Sequence, residues 1–69
     1  MDLSQIRAFL AVAEERSFTK ASKLMNLSQP SISIKVKALE KAFGTNLIIR
    51  DQSNIHLSEH GEIAATKLR

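Results

Sequence analysis

The chain has 69 residues, 43% of them hydrophobic, no cysteine and a formal net charge of +3. This describes one small domain folding on an apolar core alone: disulfides and thiolate metal sites are excluded, and the apolar content argues against wholesale disorder. No stretch approaches the ~20 apolar residues of a spanning helix, and none has the basic start and apolar run of an export signal, so a cytoplasmic protein with no membrane partner is expected.

Ile6, Phe9, Leu10 and Ala13 fall at i, i+3, i+4 and i+7, one face of a helix expected over Leu3–Glu15. Asp2 is a candidate N-cap, with Gln5 completing a capping-box pattern. Ser17-Phe18-Thr19 breaks the periodicity. Thr19 is expected to cap a short second helix with Ala21 and Leu24 facing inward, ending at Asn26, with Leu27 buried in the turn. Ser28 is expected to cap a third helix, with Pro30 in its first turn where a missing N–H costs little. That helix runs to Phe43, and Gly44 ends it. At 100° per residue, Ile32, Val36, Leu39 and Phe43 form one stripe, while Pro30, Ile34, Lys37 and Lys41 lie between about 140° and 200° away. Leu47–Arg50 reads as a strand, Asp51–Asn54 as turn chemistry and Ile55–Leu57 as the return strand. Ser58 caps a last helix holding Ile63, Ala64 and Leu68. The pattern is still running at Arg69, which reads as an interrupted helix.

Charge is unevenly spread. Residues 17–50 carry Lys20, Lys23, Lys35, Lys37, Lys41 and Arg50 against Glu40 alone, whereas both flanking segments are slightly acidic. A basic middle third is the footprint expected for a polyanion, or simply a solvated basic face. Ile34 stands out: a β-branched apolar residue opposite the core stripe suits thymine methyl groups in a DNA groove or a partner surface, or it is one of the isolated exposed apolar residues that most proteins carry.

Three helices followed by a two-stranded hairpin make a mainly α, winged helix-turn-helix layout. In such a domain the third helix, here 28–43, enters the major groove, and the wing, here 47–57, meets the backbone or minor groove. The sequence resembles the N-terminal DNA-binding domain of LysR-type transcriptional regulators over essentially its whole length. The resemblance is carried by Leu3–Glu15, Ser17–Ser22, Leu24, Ser28-Gln29-Pro30-Ser31-Ile32-Ser33, Leu39-Glu40, Gly44-Thr45-Asn46-Leu47, Arg50 and Leu57–Gly61. Each piece is weak alone, but in order and without gaps they are specific.

The resemblance implies a bacterial regulator that binds double-stranded DNA as a dimer or tetramer. Residues 1–58 would form the DNA-binding domain and residues 59–69 the start of a linker helix that mediates dimer contact. A small-molecule effector is expected only for a C-terminal domain beyond this chain. By position, Gln29, Pro30 and Ser33 would meet bases, with Ser31 beside them and Ile34 as the unusual member of the set. Thr19, Lys20, Ser28, Lys37 and Lys41 would meet the DNA backbone, as would Ser53 and Asn54 at the hairpin tip. Ile63, Ala64 and Leu68 would lie partly in a dimer seam, or simply cover this domain's own core. Many family members have arginine where this chain has Ile34, and arginines in the wing where this chain has Asp51-Gln52-Ser53-Asn54. Fewer cations imply weak binding by a lone domain and useful affinity only when paired.

No catalysis and no cofactor are expected. His56-Leu57-Ser58-Glu59-His60 matches H-x-x-E-H, a zinc-peptidase pattern, but the expected strand and Ser58 cap separate the histidines, and no third ligand is evident. A helix-turn-helix used for protein–protein contacts is the alternative, and salt dependence separates it from DNA binding.

Overall fold

The computed structural model describes residues 1–52 and 54–69. Its elements run α1 Leu3–Glu15, α2 Phe18–Met25, α3 Gln29–Phe43, β1 Ile48–Asp51, β2 Asn54–Leu57 and α4 Glu59–Leu68. α1 packs on α2 and α3, α2 packs on α3, and α4 closes the bundle against α1 and β2. Phe9, Val12, Ile32, Leu39 and Leu47 are the largest fully buried side chains, so the core draws on α1, α3 and the approach to the hairpin. The strands pair antiparallel with Ile48 opposite Leu57, Arg50 opposite Ile55 and Asp51 opposite Asn54. This is a winged helix-turn-helix, as the order of elements in the sequence implies.

α1 begins with the expected capping box: Gln5 N–H donates to the Asp2 carboxylate at 2.9 Å, and Asp2 N–H donates to Gln5 Oε1 at 3.3 Å. The Ser4 hydroxyl also donates to Asp2 at 2.7 Å. The Ser4 and Gln5 bonds together hold the Asp2 carboxyl below the ordinary aspartate value. Lys35 Nζ donates to Ser4 Oγ at 3.2 Å, pinning the start of α1 to the middle of α3.

α2 departs from expectation. Its cap is Ser17, whose hydroxyl accepts from Lys20 N–H at 3.0 Å, so Thr19 lies inside the first turn and does not cap it. Phe18, Ala21 and Ser22 turn inward, and Leu24 is 69% exposed. With Phe18 inside the helix, Phe18, Ala21, Ser22 and Met25 share one inward face, and Leu24 lies about 100° off its centre. Buried Ser22 satisfies its hydroxyl on the Thr19 carbonyl at 2.7 Å. Asn26 takes a left-handed conformation, φ +57°, and the Leu27 N–H returns to the Ser22 carbonyl at 2.9 Å. Asn tolerates this region better than most residues. The tight turn leaves the Leu27 side chain exposed, not buried.

α3 follows its expected stripe through Ile32, Val36 and Leu39, but Phe43 is exposed, because the helix ends there on left-handed Gly44. Beyond it, the Glu40 carboxylate accepts from the N–H groups of Leu47 and Ile48 at 2.8 and 3.1 Å. This bond pair fixes where the wing leaves α3. Leu47 is fully buried, and the strand proper starts one residue later than expected. α4 docks on the same segment. The Ser58 hydroxyl accepts from Gly61 N–H at 2.9 Å and donates to the Asn46 carbonyl at 2.7 Å, while Ser58 N–H donates to the Leu47 carbonyl at 3.0 Å. Gly61 is needed there: a Cβ on it would lie 2.1 Å from the Leu47 carbonyl oxygen.

Candidate nucleic-acid interface

The starts of α2 and α3 are held together by side chains. The Gln29 amide Nε2 donates to the Thr19 hydroxyl. One amide N–H is thereby used, and the second N–H, Gln29 Oε1 and the Thr19 hydroxyl hydrogen are left by this bond for outside partners. Both residues are exposed, as are Lys20, Ser28 and Pro30. Ser28 caps α3 by accepting from Ser31 N–H at 3.2 Å, and its own hydroxyl donates to Ser31 Oγ at 3.0 Å. With the Ser28 hydrogen occupied, the hydroxyl hydrogen available from this pair is that of Ser31.

Further along α3, Ser31 and Ser33 are half-buried on the flanks, and Ile34 is 68% exposed on the face opposite Ile32 and Val36. Lys37 and Lys41 are exposed beyond it. Lys35 points to α1 and does not belong to this face. The outer surface of α3 therefore grades from an amide, hydroxyls and apolar groups at its start to cations at its end.

Two residues outside the expected site border this surface. Arg50 on β1 lays its guanidinium over the Phe18 ring, with Cζ 4.0 Å from the centroid. This cation–π contact carries the wing's one arginine to Phe18 at the start of α2. An open groove of about 520 Å³ runs between α3 and β1, with Ser33 and Lys37 on one side and Asn46 and Arg50 on the other. Arg50 is the only arginine among residues 17–50, which was the signal available for it. Its neighbour across the fold was not legible from spacing. Glu40, the second, contributes through its grip on the wing.

At the hairpin tip, Gln52 adopts φ +54°, and exposed Asn54 pairs in register with exposed Asp51. The acidic neighbour lowers the attraction of this tip for a polyanion. Ser53 lies outside the described residues.

The last helix decides between seam and core at one position. Ala64 is 3% exposed and belongs to the domain's own core, so it is not available to a dimer seam; Leu68 packs against that core and is partly buried. A helix docked through Gly61 and Ala64–Ala65 turns these small residues inward. Ile63, at 51% exposure, faces out with Glu62, Thr66 and Lys67 around it. His56 sits on β2 and His60 in the first turn of α4, on opposite sides of the Ser58 cap. No three His, Asp or Glu side chains come together as metal ligands among the described residues. No helix among them is long and apolar enough to cross a membrane.

Comparison with known proteins agrees with this geometry. Residues 3–62 match the family described as bacterial regulatory helix-turn-helix protein, lysR family. The chain is 44% identical over 68 residues to the HTH-type transcriptional regulator XapR of Escherichia coli, covering 99% of this chain and 23% of that protein. It is 45% identical over 62 residues to the HTH-type transcriptional regulator BudR of Klebsiella aerogenes, covering 90% of this chain and 43% of that one. It thus spans less than half the length of these relatives. Among solved structures, the DNA complex of the CbnR DNA-binding domain superposes with a TM-score of 0.94 at 33% identity, over 100% of this chain and 79% of that one. The BenM DNA-binding domain on catB site 1 DNA gives 0.93 at 32% identity, over 99% of this chain and 76% of that one. Sequence match, element order and superposition over nearly every residue agree, and the chain belongs to the lysR family of bacterial regulatory helix-turn-helix proteins.

Proposed function

We propose that these 69 residues are the operator-binding part of a transcription regulator working in the cytoplasm. α3 lies in the major groove of duplex DNA with Gln29, Pro30, Ser31, Ser33 and Ile34 toward the bases. Thr19, Lys20, Lys37, Lys41 and Arg50 meet the flanking phosphates, with Asn54 on the wing side. Ser28 contributes as the cap that orders the first turn. One observation carries this reading: the exposed start of α3 is locked to the start of α2 by the Gln29–Thr19 bond, with cations from α2, α3 and β1 arranged around it. A rigid donor-and-acceptor edge bordered by positive charge suits base readout framed by phosphate contacts.

The same geometry limits a single copy. Few cations line the wing, and one recognition helix spans a few base pairs, so useful affinity requires two copies on a two-fold site. The outward Ile63 face of α4 is the surface assigned to that pairing. Sensing of a small-molecule effector is assigned to other parts of the longer regulator.

Fluorescence anisotropy of the chain on labelled random and palindromic duplexes tests this. The expected result is binding that weakens with salt and rises with protein concentration more steeply than a 1:1 isotherm on palindromic duplexes. Tight 1:1 binding by a verified monomer would overturn the pairing. Absence of binding to any duplex at low salt and high concentration, or binding indifferent to salt, would overturn DNA recognition and favour a protein partner on exposed Ile34.

A further inference from the structure

Ile34 is the one strongly exposed large apolar side chain in the first half of α3 among the described residues. It sits 68% exposed on a helix that buries Ile32 and Val36, so it is not a frayed edge of the core. Pro30, one turn earlier on the same face, is exposed as well. Neither side chain has a donor or an acceptor, and the flanking hydroxyls of Ser31 and Ser33 border an apolar strip between them.

That strip narrows what it can face. In the major groove the edges of guanine, adenine and cytosine present polar groups at the positions that distinguish them, and the one apolar substituent is the C5-methyl of thymine. Seating Ile34 on a carbonyl or amine would strip water from that group and return no hydrogen bond. Seating it on a methyl removes apolar surface of both partners from water. We infer that Ile34 makes this domain a reader of the pyrimidine C5-methyl group, so that its binding distinguishes thymine from uracil and 5-methylcytosine from cytosine. This rests on the placement of α3 in the major groove. It adds that one position of each half-site is selected by a methyl alone, and that cytosine methylation of the DNA can create a contact at that position.

The test uses the full 69-residue chain and duplexes enriched from a randomised pool, with affinities read by anisotropy. Each thymine of an enriched duplex is replaced in turn by deoxyuridine, which keeps every hydrogen-bonding group and removes one methyl. At one thymine per half-site the wild-type chain should weaken about fourfold, the value of one buried methyl-sized group. At that position cytosine should bind more weakly than 5-methylcytosine by a similar factor. The Ile34→Ala chain, whose helix and core are untouched, should bind less tightly and be indifferent to uracil there. Wild-type affinity unchanged by uracil at every thymine would overturn the inference, and so would a uracil effect that persists undiminished in Ile34→Ala. Failure of the pool to enrich at all would overturn the placement of α3 in DNA, and the inference with it.

Discussion

Replacing Gly61 by alanine should destabilise the domain, although alanine is the better helix former by about 1 kcal/mol. The added Cβ would stand 2.1 Å from the Leu47 carbonyl oxygen and 3.0 Å from its carbon. Both obstacles are backbone, so no side-chain rotation relieves them. α4 and the loop must separate by roughly 1 Å to restore ordinary contact. That movement stretches the Ser58 N–H bond to Leu47 and the Ser58 hydroxyl bond to Asn46, now 3.0 and 2.7 Å. Each is worth about 0.5–1.5 kcal/mol net. Leu47 cannot retreat easily, because Glu40 holds its N–H at 2.8 Å and its side chain is fully buried with Ala64 and Ala65 in the core. Partial loss of that packing adds about 1–2 kcal/mol. After the propensity gain, the net loss is about 1–4 kcal/mol, from a total on the order of 3–10 kcal/mol for a domain this size. The corresponding fall in midpoint is roughly 5–30 °C, measurable by circular dichroism at 222 nm. Gly44→Ala is the control. Gly44 has φ +75° but open space around it, so it should cost only about 1–2 kcal/mol. A Gly61→Ala chain melting at or above the wild-type temperature would refute the close docking of α4 on the wing's root.

Glu40→Ala leaves the Leu47 and Ile48 N–H groups without their acceptor and should cost about 2–6 kcal/mol in urea unfolding, at about 1–3 kcal/mol per abandoned donor; a loss below about 0.5 kcal/mol would show the wing root does not depend on it. Asp2 has its folded-state pKa depressed by the Ser4 and Gln5 bonds, so its contribution is present above its unfolded value and is lost as pH falls below about 4. Asp2→Asn should therefore show less loss of stability between pH 5 and pH 3 than the wild type, read from melts across that range. Thr19→Val removes the hydroxyl that holds Gln29 and should weaken DNA binding several-fold while changing stability by less than about 0.5 kcal/mol, since the site is exposed; equal affinity for the two proteins would show that the bond does not position Gln29.

Much of the fold was legible because it rests on local rules. The Asp2 box, the Ser28 and Ser58 caps, the Gly44 stop and the Ile32–Val36–Leu39 stripe are all set within a few residues of sequence. α2 was misread where two hydroxyl residues competed for one cap. The choice of Ser17 over Thr19 depends on Phe18 being drawn inward under Arg50, a contact across 32 positions that no spacing reveals. Leu24 and Phe43 were assigned to the interior by helical spacing and Leu27 by its place in the turn, yet each sits at or near a helix end and is exposed. Ala64 was open between seam and core because spacing within one helix does not say what it packs on; Gly61 lets that helix press its small-residue side into the core. For the site, Ile34 and Lys37 stand exposed where α3's periodicity places them, and Gln29 is exposed where the family resemblance implied it. The Gln29–Thr19 tie, the Glu40 grip on the wing and the Arg50 stack are side-chain partnerships made by tertiary packing.

The central claim is that α3 and β1 together grip a DNA backbone, and the slope of log affinity against log salt measures it most directly. With one enriched duplex, the wild-type chain, Lys37→Ala and Arg50→Ala are titrated at four or five salt concentrations. Each phosphate contact contributes about −0.9 to the slope. Lys37→Ala and Arg50→Ala should each give a slope shallower by about that amount per bound copy, with the fold unchanged by circular dichroism. A wild-type slope near zero, or both variants retaining the wild-type slope, would contradict the account.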